Sequence, residues 1–216
     1  GNPLAMIFST MHEAGHGMYE QGVNPAFERT ALESGASLAV HESQSRMWEN
    51  LVGRSLPLWE HFFPKLKKTF PAQLDGVGLR AFYKGVNKVE PSLIRVNADE
   101  ATYNLHIMLR LDLEIAMVEN KVELKHLPEI WNTKMREYLG VTPPNDAQGV
   151  LQDIHWSAGL IGYFSTYALG NLVSAQLWEK INKDLRNLDD QFRAGKFDAL
   201  LGWLQKNINQ YGPYYE

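Results

Sequence analysis

His12-Glu13-Ala14-Gly15-His16, carried by the stretch from Pro3 to Gln21, is the segment whose reading decides the fold. Read as a helix, it sets two imidazoles at i and i+4 on one face, where both reach a single metal ion with Glu13 beside them as a base. The flanking residues support the helix. Asn2-Pro3 is a good start, with Asn2 as N-cap and Pro3 in the first turn. Phe8, His12 and His16 lie on one stripe with Ile7 and Met11 beside it, and Gly22 followed by Asn24-Pro25 is a good stop. Gly15 and Gly17 each cost a helix interior about 1 kcal/mol against alanine, which implies a close packing partner near the motif.

A catalytic zinc needs a third protein ligand. A metzincin would place a histidine six residues after His16, and that position is Gly22. A glutamate from a later helix is the alternative. Glu20 and Glu28 are too near the motif helix and its exit to be favoured. Glu33 and Glu42 are both candidates; read on one helix they are separated by about 900° of rotation and point to opposite faces. Periodicity leaves the choice between them open.

Composition narrows the class. A hydrophobic fraction of 44% suits a packed globular chain, and its dispersal gives no membrane span. A net charge of -4 supplies no basic field, so nucleic acid is not an expected partner. With no cysteine, disulfides and thiolate metal sites are excluded and the ligands must be imidazole and carboxylate. Absence of cysteine and of an opening signal peptide fits a cytoplasmic protein.

The rest reads as helix after helix, over 3–21, 26–53, 57–69, 76–88, 91–119, 126–138, 162–182, 187–194 and 196–209. Residues 118–124 are the best place for a short β-hairpin, turned at Asn120-Lys121. Adjacent prolines make 142–146 the clearest loop. The expected fold is mostly α, with long helices around a metal-bearing cleft and at most one hairpin. Residues 1–216 are expected to form a single metal-bearing lobe.

Four separated motifs occur in order: His12-Glu13-Ala14-Gly15-His16, His41-Glu42-Ser43-Gln44-Ser45-Arg46, Ile94-Arg95-Val96-Asn97-Ala98-Asp99-Glu100, and Gly149-Val150-Leu151-Gln152-Asp153-Ile154-His155-Trp156. In these the chain resembles the M32 metallocarboxypeptidases, the carboxypeptidase Taq group, over nearly its whole length. The resemblance implies zinc held by His12, His16 and Glu42; cobalt could substitute, because such a donor set selects weakly between these metals. The resemblance leaves Glu33 as a helix-surface residue or one that supports a ligand from behind. It also implies peptide substrates with a free C-terminal carboxylate, and the family's usual homodimer. The chain departs from the family in three ways. Members are much longer, with D-x-R-x-T and H-P-F motifs ahead of the H-E-x-x-H that do not occur here. Ser165 replaces a usual proline, and Asn209 a usual histidine. A fragment of a longer carboxypeptidase is the expected explanation.

Further roles follow from the resemblance. Glu13 takes a proton from the attacking water and passes it to the leaving amine. Arg95 anchors the substrate carboxylate through its guanidinium fork, unless it merely pairs with Asp99 four residues on. Gln152 lines the substrate site. His155, and one of Tyr163 and Tyr167, donate to the developing oxyanion; the plainer readings are core tyrosines, with Asp153 as a helix cap. His106 reads as a packed helix histidine, and Trp48, Trp59 and Trp178 read as core. Two other classes of function compete: a metal-binding fragment without catalysis, and a zinc endopeptidase with an open cleft.

Overall fold

The computed structural model describes residues 3–215, so the expected Asn2 cap lies outside the described residues. Helix α1 runs over Pro3–Gln21, as the motif reading requires. A single helix over 26–53 does not form. Pro25–Phe27 is a short 3-10 turn, the chain then loops, and Ser37 restarts it by accepting the Val40 N–H as an N-cap. Helix α2 spans Leu38–Arg46 and continues directly into a π segment, Met47–Val52. A π segment is uncommon and often marks a functional position. Helices α3 (Leu56–Thr69), α4 (Pro71–Leu74) and α5 (Leu79–Val86) follow, the second without any sequence forecast.

The expected helix over 91–119 is shorter. Arg95–Asn97 is a 3-10 turn, and α6 begins at Glu100 because Asp99 caps it, accepting from the N–H groups of Ala101 and Thr102. Asp99 is therefore not the helical partner of Arg95. Helix α6 ends at Val118, and no strand occurs among the described residues. The turn assigned to a hairpin is a helix C-terminus: Asn120 takes a positive φ of 55° and the Lys121 N–H reaches back to the Ala116 carbonyl. Asparagine tolerates that left-handed conformation, which closes the last turn. Helices α7 (Leu127–Leu139), α8 (Ser165–Asp184), α9 (Leu188–Arg193) and α10 (Asp198–Asn207) complete the chain.

The chain divides into two compact units, Gly1–Asn87 with Leu169–Glu216, and Lys88–Ala168. The first unit is centred on Phe8, Met47, Trp48, Val52, Trp59 and Phe192, with Trp178 packed against them. The second is centred on Leu109, Leu113, Trp131, Met135 and Leu139, with a smaller cluster of Tyr103, Ile107 and Phe164. No described helix is long and apolar enough to cross a membrane.

In the first unit α1 packs closely on α2, and Gly15 sets the spacing. A Cβ at Gly15 would lie 2.7 Å from Ser45 Cα and 2.8 Å from the Gln44 carbonyl oxygen. These are backbone atoms that cannot step aside. Gly17 is different, since a Cβ there would meet nothing within 4 Å. The expected close partner exists for the first glycine alone.

Candidate metal centre

The close approach of α1 and α2 brings three side chains of the first unit together. His12 and His16 project from one face of α1, and Glu42 meets them from α2. Glu42 Oε2 lies 3.4 Å from His16 Nε2 and 3.7 Å from His12 Nε2. One donor atom from each residue fits within 4.8 Å of the others. Glu42 is buried, and its second oxygen, Oε1, has no hydrogen-bond partner. A buried carboxylate oxygen without a partner is costly, and a cation beside it removes the cost. Two imidazoles and a carboxylate are a donor set suited to zinc. On these grounds the residues fit a divalent ion.

Glu33 is not on a helix. It is exposed on the loop before α2, where its carboxylate accepts the Arg29 N–H. Setting Glu33 and Glu42 on opposite faces of one helix therefore used a geometry that does not exist. The loop holds Glu33 apart, and helix packing brings Glu42 to the two histidines.

The outer atoms of both histidines are engaged. His12 Nδ1 contacts Glu49 Oε2 at 2.9 Å, and Arg46 Nη1 donates to the same oxygen at 2.8 Å. Arg46 is itself fixed by donating from Nε to Asn171 Oδ1 at 2.8 Å. Burial pushes the His12 imidazolium pKa down, but the Glu49 contact and the charges of Glu42 and Glu49 outweigh it and hold the pKa above its ordinary value. Burial likewise pushes Glu49 up, and its contact with His12 and the Arg46 charge bring it below the usual carboxylate range. The field at the centre therefore favours positive charge. His16 Nδ1 meets His41 Nδ1 at 2.6 Å, and His41 Nε2 meets Glu20 Oε1 at 2.7 Å.

Sequence reading had not assigned Glu49, Arg46, His41 or Glu20 to this centre. A signal existed for two of them: Arg46 and Glu49 follow Glu42 by four and seven residues, the spacing of one helix face. Glu20 continues the His12, His16 stripe by one more turn. Glu13 is exposed on α1.

The remaining expected site residues belong to the second unit. Arg95 is 5% exposed, and its fork is committed. Nε and Nη2 donate to Asp153 Oδ1 at 3.0 and 2.7 Å, and Nη1 donates to the Tyr103 hydroxyl at 2.8 Å. Arg110 grips the other oxygen of Asp153, Nε lying at 2.8 Å and Nη2 at 2.6 Å. Asp153 is thus not a helix cap but a largely buried anion between two guanidiniums. Burial raises its pKa, and the charges and hydrogen bonds of Arg110 and Arg95 bring it below the usual range. Gln152 serves this arrangement: its Oε1 accepts the Arg95 N–H at 2.9 Å and its Nε2 donates to the Leu93 carbonyl at 3.0 Å.

His155 Nε2 is 3.0 Å from the Tyr167 hydroxyl, and the Tyr163 ring lies 5.4 Å from the His155 ring. Burial, then the charge of Arg95, lowers the His155 pKa, so its ring is neutral near pH 7. His106 is fully buried, as a packed helix histidine should be, and burial with the charges of Arg110 and Arg95 pushes its pKa down to about 4.

Comparison with known proteins agrees with the geometry. The family pattern described as carboxypeptidase Taq (M32) metallopeptidase matches residues 1–216. The chain is 50% identical over 208 residues to thermostable carboxypeptidase 1 of Thermus thermophilus, covering 96% of this chain and 41% of that protein. It is 43% identical over 206 residues to carboxypeptidase 1 of Bacillus subtilis, covering 95% and 41%. The solved M32 carboxypeptidase of Deinococcus radiodurans superposes with a TM-score of 0.95 at 44% identity, over 99% of this chain and 43% of that one. The chain therefore spans about two fifths of the length of these relatives.

Proposed function

The chain belongs to the carboxypeptidase Taq (M32) metallopeptidase family, and from that premise we propose that it is the metal-bearing lobe of a zinc carboxypeptidase with Glu13 as general base. The observation that carries this reading is the convergence of His12, His16 and Glu42, with one oxygen of Glu42 buried and unpartnered. A divalent ion held by these three supplies an electrophile and lowers the pKa of a water molecule to about 7. Zinc suits the set, and cobalt fits nearly as well because imidazole and carboxylate select weakly between them.

Glu13 follows His12 directly and makes no ligand contact, which leaves its carboxylate for proton transfer. It accepts the proton of the attacking water and delivers it to the leaving amine nitrogen. The substrates are peptides with a free C-terminal carboxylate. Gln152 holds the backbone of the Arg95 turn, and Arg95 meets a substrate carboxylate only if Asp153 gives up part of the fork. Within the second unit, His155 and Tyr167 are hydrogen-bonded to each other with the Tyr163 ring 5.4 Å from that of His155, and these three are the candidate donors to a substrate carbonyl oxygen.

A second reading is a metal-binding segment that does not catalyse, and the chain's span of about two fifths of its relatives favours it for the isolated 216 residues. Catalysis requires a substrate oriented in a closed cleft, worth several kcal/mol of barrier. The test is hydrolysis of one peptide as the free acid and as the C-terminal amide, by the zinc-loaded chain, its Glu13→Gln variant and a full-length relative. The chain should bind zinc and turn over far more slowly than the relative. Any residual hydrolysis should be confined to the free acid and disappear in Glu13→Gln. Equal cleavage of the amide would make the protein an endopeptidase. Undiminished turnover in zinc-loaded Glu13→Gln would remove the base from its role.

A further inference from the structure

The two candidate ligand histidines are held by different devices. His12 reaches a carboxylate directly at Glu49, whereas His16 reaches one through a second imidazole. We propose that Glu20 and His41 form a positioning relay that fixes the tautomer of His16, leaving its Nε2 lone pair facing Glu42. The zinc-affinity part of this proposal rests on the metal reading above; the tautomer part does not.

The argument is one of donors and acceptors. His16 Nδ1 and His41 Nδ1 are 2.6 Å apart, so one of them carries a proton and the other a lone pair. His41 Nε2 lies 2.7 Å from Glu20 Oε1, and an ionised carboxylate only accepts. Glu20 therefore holds the His41 proton on Nε2 and leaves a lone pair on His41 Nδ1. That lone pair holds the His16 proton on Nδ1. His16 Nε2 then presents a lone pair toward Glu42 Oε2, 3.4 Å away. In the reverse polarity His16 Nε2 would carry the proton and point it at Glu42, which suits a hydrogen bond but not a metal. The charge of Glu20 chooses between these two states. Partners beyond the ligands commonly set tautomer and ring orientation in metal sites in this way.

The relay is built into the packing of the first unit. Glu20 Oε1 also accepts the Gly35 N–H at 3.1 Å. The ring of Tyr19, 1% exposed, stands edge-on to His41 with centroids 5.1 Å apart, and its hydroxyl accepts the Ala36 N–H at 2.9 Å. A Cβ at Gly35 would lie 2.6 Å from Tyr19 Cε1, 3.0 Å from His41 Cδ2 and 3.1 Å from Glu20 Oε1. The loop before α2 thus closes over the relay, and only glycine fits at that point.

The experiment compares the 216-residue chain with Glu20→Ala, Glu20→Gln and His41→Phe at one pH. Tautomers are read from nitrogen-15 correlation spectra of the metal-free proteins, and zinc affinity from competition with a chromophoric chelator. Wild type should show His16 protonated at Nδ1. Glu20→Ala and His41→Phe should show a mixture with Nε2 protonated, and bind zinc about 10–100-fold more weakly. Glu20→Gln, whose amide can donate as well as accept, should fall between wild type and Glu20→Ala in both signals. Glu20 is 42% exposed at its side chain, so its removal leaves the core intact, and thermal melts verify this. A His16 tautomer unchanged in Glu20→Ala overturns the relay, even if affinity falls. A wild-type chain that takes up no zinc while its His16 tautomer responds to Glu20 would sink the metal reading and keep the relay.

Discussion

In the first unit two imidazoles and Glu42 face one another with an acceptor oxygen left over; in the second, Asp153 lies between two guanidiniums that use both of its oxygens. Both clusters are at least partly buried and both gather charge, but their valences differ. The first has lone pairs in excess and a field that favours positive charge at His12. In the second each nitrogen of the Arg95 fork makes a hydrogen bond, and the guanidiniums also lie against aromatic faces, Arg95 4.8 Å from the Tyr167 ring centre and Arg110 4.6 Å from that of Trp131. Buried charge alone therefore does not mark a binding site. The first cluster leaves a carboxylate oxygen for a cation, whereas the second already holds its anion between two cations.

The largest effect should come from deleting a valence of the open cluster. His16→Ala and Glu42→Ala should lose stoichiometric zinc, as read by metal analysis after dialysis, whereas Glu33→Ala should keep it. Retention by Glu42→Ala together with loss by Glu33→Ala would reverse the ligand assignment.

Next comes the closed cluster. Asp153→Ala leaves two buried guanidiniums without their shared anion and should cost about 3–5 kcal/mol in a denaturant titration. Its pH dependence has a definite sign. The folded Asp153 carboxyl titrates below its unfolded value, so its stabilisation is complete above about pH 4 and is lost as pH falls through the lowered folded value. A stability curve for Asp153→Ala that parallels wild type through that acid range would show that the bridge does not brace the unit.

The smallest effects separate two glycines of the motif helix. Gly17→Ala should raise stability by up to about 1 kcal/mol, since space is open and alanine favours helix. Gly15→Ala should lower both stability and zinc affinity, because its Cβ meets α2 backbone. Equal melting temperatures for the two variants would mean that α1 and α2 are not held at this spacing.

Much of this was legible in the residues. The i, i+4 histidine pair and the periodic helices α1, α3, α7 and α8 needed only local spacing, because a helix maps sequence separation onto faces, whereas Glu42 was named by the family resemblance. Element ends were less legible. Ser37, Asp99 and Asn120 each terminate or restart a helix by capping, and a cap competes with continuing periodicity over only a few atoms. For that reason one helix was expected over 26–53 and a hairpin over 118–124, where the chain makes a loop and a helix end.

The sequence by itself determined that the chain is helical, that it carries one imidazole pair on a helix face, and that its metal ligands are nitrogen and oxygen. Tertiary structure alone shows which carboxylate lies against the imidazole pair and what each remaining charged residue touches. Bringing Glu42 rather than Glu33 to the pair required the packing of α1 on α2 at Gly15. Committing Arg95 to Asp153 required a contact 58 residues away in sequence. The physical reason is range. Helix periodicity acts over a few residues, whereas the pairing of buried charges depends on which helices pack together, and desolvation makes each such pairing nearly obligatory once they do.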